Sequence, residues 1–364
     1  MFISNVGIDL GYGYLKATNG SRDIVLPSVV GTGADLAYRS ELSLYTQEED
    51  NLVLEVEGAR YFVGSLAARQ SEIAARSLAE DRPGDWSARV LFLTALALVV
   101  EGPTGHANVV TGLPPAHYRM YRDALTEVMQ GEHRLILWSG TRVVEKSISV
   151  DNVRVVPQPF GTVFDLFLDR SGTVQQPDLA ASRIGVIDIG FRTTDLVVAD
   201  RLDYVERLSV TTTTALGTAC ALVGDALQRE FGLTRESYEL DAVMLSGRLR
   251  SGGRMHDITP LRDDAYRQVA RKILTEVESV WQKDDLDAVY ITGGGGQALA
   301  GFLLEAMPNA ALAPAAQAAN VHGYWKLSNK LFGVGGGFTP AMAAADSVRA
   351  DMSARMDPHA AGER

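Results

Sequence analysis

The pattern of hydrophobic positions predicts alternating helices and strands along the chain. The stretch from Asp85 to Glu101 is almost wholly apolar and long enough for a mostly buried helix. Residues 134–156 hold three β-rich runs, the first two separated by a Ser139-Gly140 turn, and predict a hairpin followed by a further strand. Other predicted elements are helices over 116–129, 215–231 and 264–284 and a strand over 107–115. The order of these elements indicates an α/β protein.

One short pattern occurs twice, about half a chain apart. Residues 6–16 read VGIDLGYGYLK and residues 185–195 read GVIDIGFRTTD, so that Asp9 corresponds to Asp188 and Lys16 to Asp195. In each copy an apolar run ends in Asp-x-Gly and a second run follows. This order predicts a buried strand, a tight glycine turn and a returning strand. The chain is therefore expected to contain the same strand-turn-strand unit twice.

Glycines follow a third apolar run in a setting typical of nucleotide sites. A predicted strand over 288–292 leads into four glycines, 293–296, which we expect to form a loop before a helix over 297–306. Glycines let backbone N–H groups approach phosphates closely, and carboxylates such as those of the repeats hold divalent metals. Residues 248–254 are also glycine-rich and carry three arginines. We expect an exposed loop there, because no strand-helix context surrounds it.

Length, composition and charge narrow the class of protein. At 364 residues the chain is expected to form about two domains, and its 46% hydrophobic residues are typical of folded globular proteins. A net charge of −11 argues against direct binding to nucleic acid. Cys220 is the only cysteine, which excludes an intrachain disulfide and favours a reducing compartment. Without a secretory leader or an apolar run of about 20 residues, we expect a cytoplasmic protein with no membrane anchor.

The repeats resemble the two phosphate motifs of the actin, hexokinase and heat-shock-chaperone ATPase superfamily. Asp9 to Lys16 resembles the first phosphate motif, and Asp188 to Asp195 resembles the second. Three more segments match in order: 156–161 resembles the first connecting motif, 291–296 the adenosine motif, and 319–324 the closing segment of ParM/StbA and related archaeal-type actin-like proteins. This resemblance implies a two-domain actin-like α/β fold, a duplicated ribonuclease H-like fold with a nucleotide cleft between the domains. Domain I would span 1–165 and be completed by 325–364, and domain II would span 166–324.

The resemblance also implies ATP or ADP with Mg²⁺ in that cleft, and it assigns roles to residues. Gln158 and Asp188 would be catalytic, and Asp9 and Asp188 would organise the metal through its waters. Glutamine is too weak a base to remove a proton, so Gln158 would orient the attacking water. The implied nucleotide contacts are Gly11, Tyr12, Gly13, Tyr14, Lys16, Gly190, Arg192, Thr193, Thr194, Gly293, Gly294, Gly295 and Gly296. Arg192 departs from the family pattern, in which small residues are common at its position.

By the same resemblance, the expected function is a slow ATPase that polymerises head-to-tail with itself. Its expected role is segregation of plasmid DNA through a DNA-binding adaptor protein. Two alternatives remain open. One is a small-molecule kinase on the same fold, with Asp188 as the base on a hydroxyl group. The other is a non-polymerising scaffold that uses ATP as a switch. A filament former shows a critical protein concentration, whereas a kinase or a scaffold does not.

Overall fold

The computed structural model describes residues 3–32, 47–71, 74–76, 81, 83–140, 142–236, 238–281 and 286–333. The strands are β1 (Ile3–Leu10), β2 (Tyr14–Thr18), β3 (Asp23–Pro27), β4 (Val29–Thr32), β5 (Leu52–Val56), β6 (Ala59–Val63), β7 (Ala74–Arg76), β8 (Thr104–Leu113), β9 (Gly131–Ser139), β10 (Arg142–Pro157), β11 (Arg183–Ile189), β12 (Thr194–Asp200), β13 (Asp203–Tyr204), β14 (Val210–Thr212), β15 (Arg248–Ser251), β16 (Arg254–Asp257), β17 (Ala288–Thr292) and β18 (Ala310–Leu312).

The helices are α1 (Ser65–Gln70), α2 (Trp86–Val99), α3 (Pro115–Met129), α4 (Phe160–Phe167), α5 (Pro177–Ala180), α6 (Leu216–Phe231), α7 (Leu240–Ser246), α8 (Thr259–Val280), α9 (Gly293–Ala306) and α10 (Ala319–Phe332). Short 3₁₀ helices lie at Glu48–Asn51 and Glu206–Leu208. None of the helices in the described part of the chain combines the length and the apolar character needed to cross a membrane.

Two main sheets repeat one strand arrangement, which confirms the predicted duplication. The first sheet has ten strands in the order β3-β2-β1-β8-β10-β9-β5-β6-β4-β7, and the second contains β13-β12-β11-β17-β18 with β14 beside β12. In the first sheet β1 pairs antiparallel with β2 and parallel with β8. In the second, β11 pairs antiparallel with β12 and parallel with β17. The chain therefore has the two-domain actin-like α/β fold that the resemblance implied.

Each sheet has its own hydrophobic core. Helix α2 supplies much of the first core, and nearly all of its side chains are buried against that sheet. Its N-terminus is capped by Asp85, whose carboxylate accepts a hydrogen bond from the Ser87 N–H at 3.0 Å. The second core packs α6, α8 and α9 against β11, β12 and β17. Cys220 on α6 is buried in that core, as its position on the apolar face of the predicted helix suggests.

Helix α10 packs on β1, β8 and α4 and thereby lies against the first sheet. Its contact with α4 is so close that a side chain on Gly161 or Gly323 would meet the backbone of the other helix. The residue limits 165 and 324 for the two domains remain a prediction, and α10 runs across the second of them. Most of the segment predicted to complete domain I, 334–364, lies outside the described residues.

Three local predictions were wrong. Residues 134–156 form two strands rather than three, because β10 continues through 16 residues with an irregularity between Val150 and Asn152. The glycines at 293–296 form the first turn of α9 rather than a loop. Residues 248–254 lie in the β15–β16 hairpin rather than in an irregular loop. The glycines at 293–296 belong to the helix that follows them, whereas Gly252 and Gly253 form the turn between β15 and β16.

Candidate functional site

The first repeat ends in a buried ion pair. Asp9 lies at the end of β1 and Lys16 stands opposite it on β2, with 2.9 Å between the Lys16 Nζ and the Asp9 Oδ2. The second carboxylate oxygen of Asp9 accepts a hydrogen bond from the Gln158 side-chain amide at 2.9 Å. Burial by itself lowers the pKa of Lys16, but the charge and hydrogen bond of Asp9 outweigh it and raise that pKa. Lys16 is therefore a fixed positive charge.

The second repeat places two acids at the corresponding positions. Asp188 lies at the end of β11, and Asp195 stands opposite it on β12. Asp188 accepts a hydrogen bond from the Asn320 amide at 2.7 Å. Asp195 is also buried, and its Oδ1 has no hydrogen-bond partner in the described part of the structure. Two carboxyl groups thus share a site that holds no lysine of its own.

Burial and neighbouring negative charge raise the pKa values of both acids. Burial, followed by the negative charge of Asp9, raises the pKa of Asp188 to about 6. Burial, with the charge of Asp188 acting in the same direction, raises the pKa of Asp195 to about 8. The charge of Asp9 raises the pKa of both residues, and all three acids line the same cavity. Closely spaced carboxyls of this kind favour protonation or a bound cation.

Glycines allow the surrounding backbone to approach this cluster. Gly293 has a φ of +84°, and a side chain there would meet the Asp188 carboxylate and the Ile189 carbonyl. A Cβ at Gly13 would lie 2.8 Å from the Cβ of Phe191, so the glycine turns of the two repeats pack directly on each other. Because Gly293 is the first residue of α9, this helix begins beside Asp188.

One cavity contains most of the residues predicted for the site. The predicted residues that line it are Asp9, Gly11, Tyr12, Gly13, Tyr14, Lys16, Gln158, Asp188, Gly190, Thr193, Gly293, Gly294 and Gly295. Three others do not line it. Arg192 lies with its guanidinium 5.4 Å from the centre of the Tyr12 ring and faces a neighbouring cavity. Thr194 is buried and donates to the Thr214 carbonyl at 2.6 Å, while Gly296 packs inside α9 against Ile291.

Several residues of the cavity were not assigned to the site from the sequence. Asp195 and Asn320 line it beside Asp188, and the equal spacing of the two repeats is the signal that could have assigned Asp195. The remaining wall consists of Phe191, Leu216, Cys220, Asp241, Met244, Leu245, Tyr266, Ala298 and Gln317. Much of this wall is apolar and comes from α6, α7, α8 and α9, which gives the cavity a surface suited to a flat ring system.

Tyr14 bridges the two halves of the molecule across this cavity. Its hydroxyl donates to the Asp241 carboxylate on α7 at 3.2 Å, and both residues line the cavity. Together with the contact of Gly13 and Phe191, this bond connects the turn after β1 to the second half.

Comparison with known families assigns both halves of the chain. Residues 7–161 match the family described as "Actin like proteins N terminal domain". Residues 186–305 match the family described as "Archaeal actin homologue MreB-like, C-terminal". Both matches include one repeat with its aspartate. A search of curated protein sequences found no match.

Solved structures with the same fold are actin homologues. A ParM subunit from a 15-stranded filament of Clostridium botulinum is similar over 91% of this chain and 100% of its own, at 23% identity and a TM-score of 0.78. The archaeal actin homologue Ta0583 in complex with ADP matches over 90% and 99%, at 18% identity and a TM-score of 0.73. The actin-like protein Alp7A matches over 96% and 100%, at 17% identity and a TM-score of 0.72. This chain belongs to the actin-like proteins, with ParM and archaeal actin homologues as its structural neighbours.

Proposed function

We propose that this protein binds Mg-ATP between its two halves and hydrolyses it slowly. The observation that carries the proposal is the meeting of both repeats in one cavity, where Asp9, Lys16 and Asp188 lie beside glycine turns and the first turn of α9. Lysine and backbone N–H groups bind phosphates, and a helix N-terminus favours anions. The complex of Ta0583 with ADP supports a nucleotide as the ligand of this cavity.

The donor set fits a magnesium ion. Among the described residues no three His, Cys, Asp or Glu side chains form a ready-made metal cluster. Asp9 and Asp188 can nevertheless hold Mg²⁺ through its waters, because this ion keeps several waters when it binds to proteins. The oxygen of Asp195 without a hydrogen-bond partner is a further acceptor in the same cavity. When bound, the ion would neutralise charge on the phosphates.

Gln158 is the residue that we propose to orient the attacking water. Its amide N–H donates to Asp9, which fixes the side chain and leaves the amide oxygen available as an acceptor. Its backbone is held from both sides, by the Leu113 carbonyl at 2.8 Å and the Tyr324 hydroxyl at 2.8 Å. A water held by the amide oxygen would attack the terminal phosphate and yield ADP and phosphate. Because a glutamine orients water without removing its proton, slow turnover is expected.

The substitution Gln158→Ala tests this assignment. We expect phosphate release to slow about 100-fold, the usual effect of losing one positioning group, while ATP affinity changes less than about threefold. Single-turnover phosphate release and equilibrium binding of ATP measure the two quantities separately. The control is Gln130→Ala, which removes an exposed glutamine outside the cavity. Loss of ATP binding in Gln158→Ala, with hydrolysis of the bound ATP unchanged, would refute the assignment.

We further propose that ATP drives head-to-tail assembly into filaments, and that these segregate plasmid DNA through an adaptor. The similarity to a ParM filament subunit supports self-assembly. Light scattering and pelleting over a range of protein concentrations, with Mg-ATP, Mg-ADP or no nucleotide, test it. A nucleotide-dependent critical concentration supports a filament. Steady turnover at every concentration without assembly would favour the kinase or the scaffold instead.

A further inference from the structure

A small hairpin in the second half of the molecule stands apart from both main sheets. Strands β15 and β16 pair only with each other within the described residues. A two-stranded hairpin is marginally stable by itself, so it needs an anchor. Leu249, only 2% exposed, belongs to the second core, and the ring of His256 opposite it packs edge-on to Phe231 with centroids 4.8 Å apart. One face of the hairpin is therefore fixed to the molecule.

The other face of the hairpin is available to a partner. Side chains alternate along a strand, so the pair of Arg250 and Met255 lies on the face opposite Leu249. Arg250 is exposed and Met255 is 60% exposed. Leu245, at the end of α7 just before the hairpin, is 79% exposed, the highest exposure among the large apolar side chains described. Arginine and methionine are enriched in the centres of protein interfaces.

The charge of the hairpin is opposite to that of the chain as a whole. Residues 248–257 carry three arginines and one aspartate, whereas the whole chain has a net charge of −11. Within the described residues, neither Arg250 nor Arg254 forms an ion pair with an acid of the same molecule. Copies with this net charge repel one another, and a local basic patch can lead them to meet in one orientation. Every other copy of the chain carries the excess of acidic residues that attracts such a basic patch.

We propose that the outer face of the hairpin, together with Leu245, is a self-assembly contact that docks on an acidic surface of a second copy of this chain. The inference rests on the proposed filament function and names one side of its subunit contact. The contact is heterologous, since a basic patch does not pair with itself, and a heterologous contact extends into a filament when its rotation does not close a ring. Leu245 also lines the nucleotide cavity, so the proposed contact adjoins the site of ATP.

The substitution Arg250→Glu reverses the charge at the centre of the patch, and Arg271→Glu on α8 is the matched control. Both arginines are exposed, and Arg271 lies on α8, outside the hairpin. We expect Arg250→Glu to raise the critical concentration for ATP-driven assembly about 10-fold or more, the effect of losing an interface hot spot, while Arg271→Glu leaves it unchanged. Binding of ATP, measured below the critical concentration, is expected to stay at the wild-type level and shows that the variant is folded.

Mixing the variant with wild type adds a stricter test. An Arg250→Glu subunit keeps the acidic side of the contact, so it can add to a wild-type filament and then expose a face that accepts no further subunit. We therefore expect a small fraction of this variant to lower the polymer yield of wild type, which a misfolded protein would not do. Met255→Ala, which leaves the charge unchanged, is expected to raise the critical concentration as well.

The outcomes separate this inference from the proposed function. If wild type does not assemble with any nucleotide, the filament function fails and the contact fails with it. If wild type assembles and Arg250→Glu assembles equally well, only the contact is overturned. Binding of wild type to a DNA duplex that is lost in Arg250→Glu, with assembly unchanged, would show that the patch serves nucleic acid and would also overturn the proposal.

Discussion

The two strand-turn-strand units have the same backbone register and opposite electrostatics. In the first unit Asp9 faces Lys16, and in the second Asp188 faces Asp195. The first unit neutralises its own charge through the ion pair at 2.9 Å. The second unit instead brings two buried acids together, with pKa values raised to about 6 and about 8. The two units thus keep the same backbone geometry, and the charge that faces the cavity is reversed because Asp195 stands where the first unit has Lys16.

This difference indicates a division of labour within the cavity. The first unit supplies a positive group for phosphates that is present with or without a ligand. The second unit is strained electrostatically, because burial penalises both of its charges and the charge of Asp188 raises the pKa of Asp195 further. At pH 7 Asp195 holds its proton, and a cation between the units would allow it to ionise. The proposed metal site therefore combines Asp9 of the first unit with acids of the second unit that no lysine opposite them neutralises.

The largest effect is expected from Lys16→Met, which removes the positive charge that neutralises the buried carboxylate of Asp9. A buried carboxylate that loses its partner typically costs about 3–5 kcal/mol in the free energy of unfolding. Urea unfolding without nucleotide or metal measures this loss, and Lys272→Met, an exposed lysine on α8, is the control. The double variant with Asp9→Asn is expected to recover much of the stability. Equal losses in the single and double variants would contradict the ion-pair explanation.

An effect of comparable size and opposite sign is expected from Asp195→Asn. The pKa of Asp195 is about 8 in the folded protein against an ordinary value of 3.8, so this group costs stability as the pH rises from about 4 to 8. The asparagine does not titrate. The stability of the variant relative to wild type should therefore increase over that range, by up to roughly 5 kcal/mol.

Unfolding curves at pH 4, 6 and 8, without nucleotide or metal, measure this increase. The exposed Asp203→Asn on β13 serves as the control, and its difference from wild type should not vary in this way. A constant difference between Asp195→Asn and wild type at all three pH values would show that the two acids do not share a strained site.

The smallest effect concerns the hydrogen bond that connects the turn after β1 to α7 in the second half of the molecule. Tyr14→Phe removes the hydroxyl that donates to Asp241 across the cavity at 3.2 Å. A single hydrogen bond contributes about 0.5–1.5 kcal/mol, so release of a fluorescent ATP analogue should be about 3- to 10-fold faster. A stopped-flow chase with unlabelled ATP measures the rate, and Tyr121→Phe on α3, outside the cavity, is the control. An unchanged release rate would mean that this bond does not retain the nucleotide.

Much of the fold was predictable because local patterns are specific where a strand or helix is buried. Strand β17 coincides with its prediction, and α2 lies within the stretch from Asp85 to Glu101 that was predicted to be helical. Equal spacing within the repeats also placed Asp9 opposite Lys16, since residues seven apart across a tight turn face each other in both units. Other features depended on partners far along the chain. Asn320, which holds Asp188, lies 132 residues after it, and no local pattern connects the two.

The structure of the glycines at 293–296 also depended on residues far along the chain. Glycine alone favours a turn, but here Gly293 passes close to Asp188 and Gly295 passes close to Ile189, and neither position leaves room for a side chain. The four glycines therefore form the first turn of α9.

The sequence by itself determined the order of the elements, the duplication and the residue types at the ends of β1 and β11, because these depend on periodicity and spacing along the chain. Only the tertiary structure decided which charges meet, that Asp195 shares the site of Asp188, and that an arginine-bearing hairpin stands outward from the second core. These features depend on burial and on the distance between groups that are remote in sequence, and both arise only when the two sheets pack together.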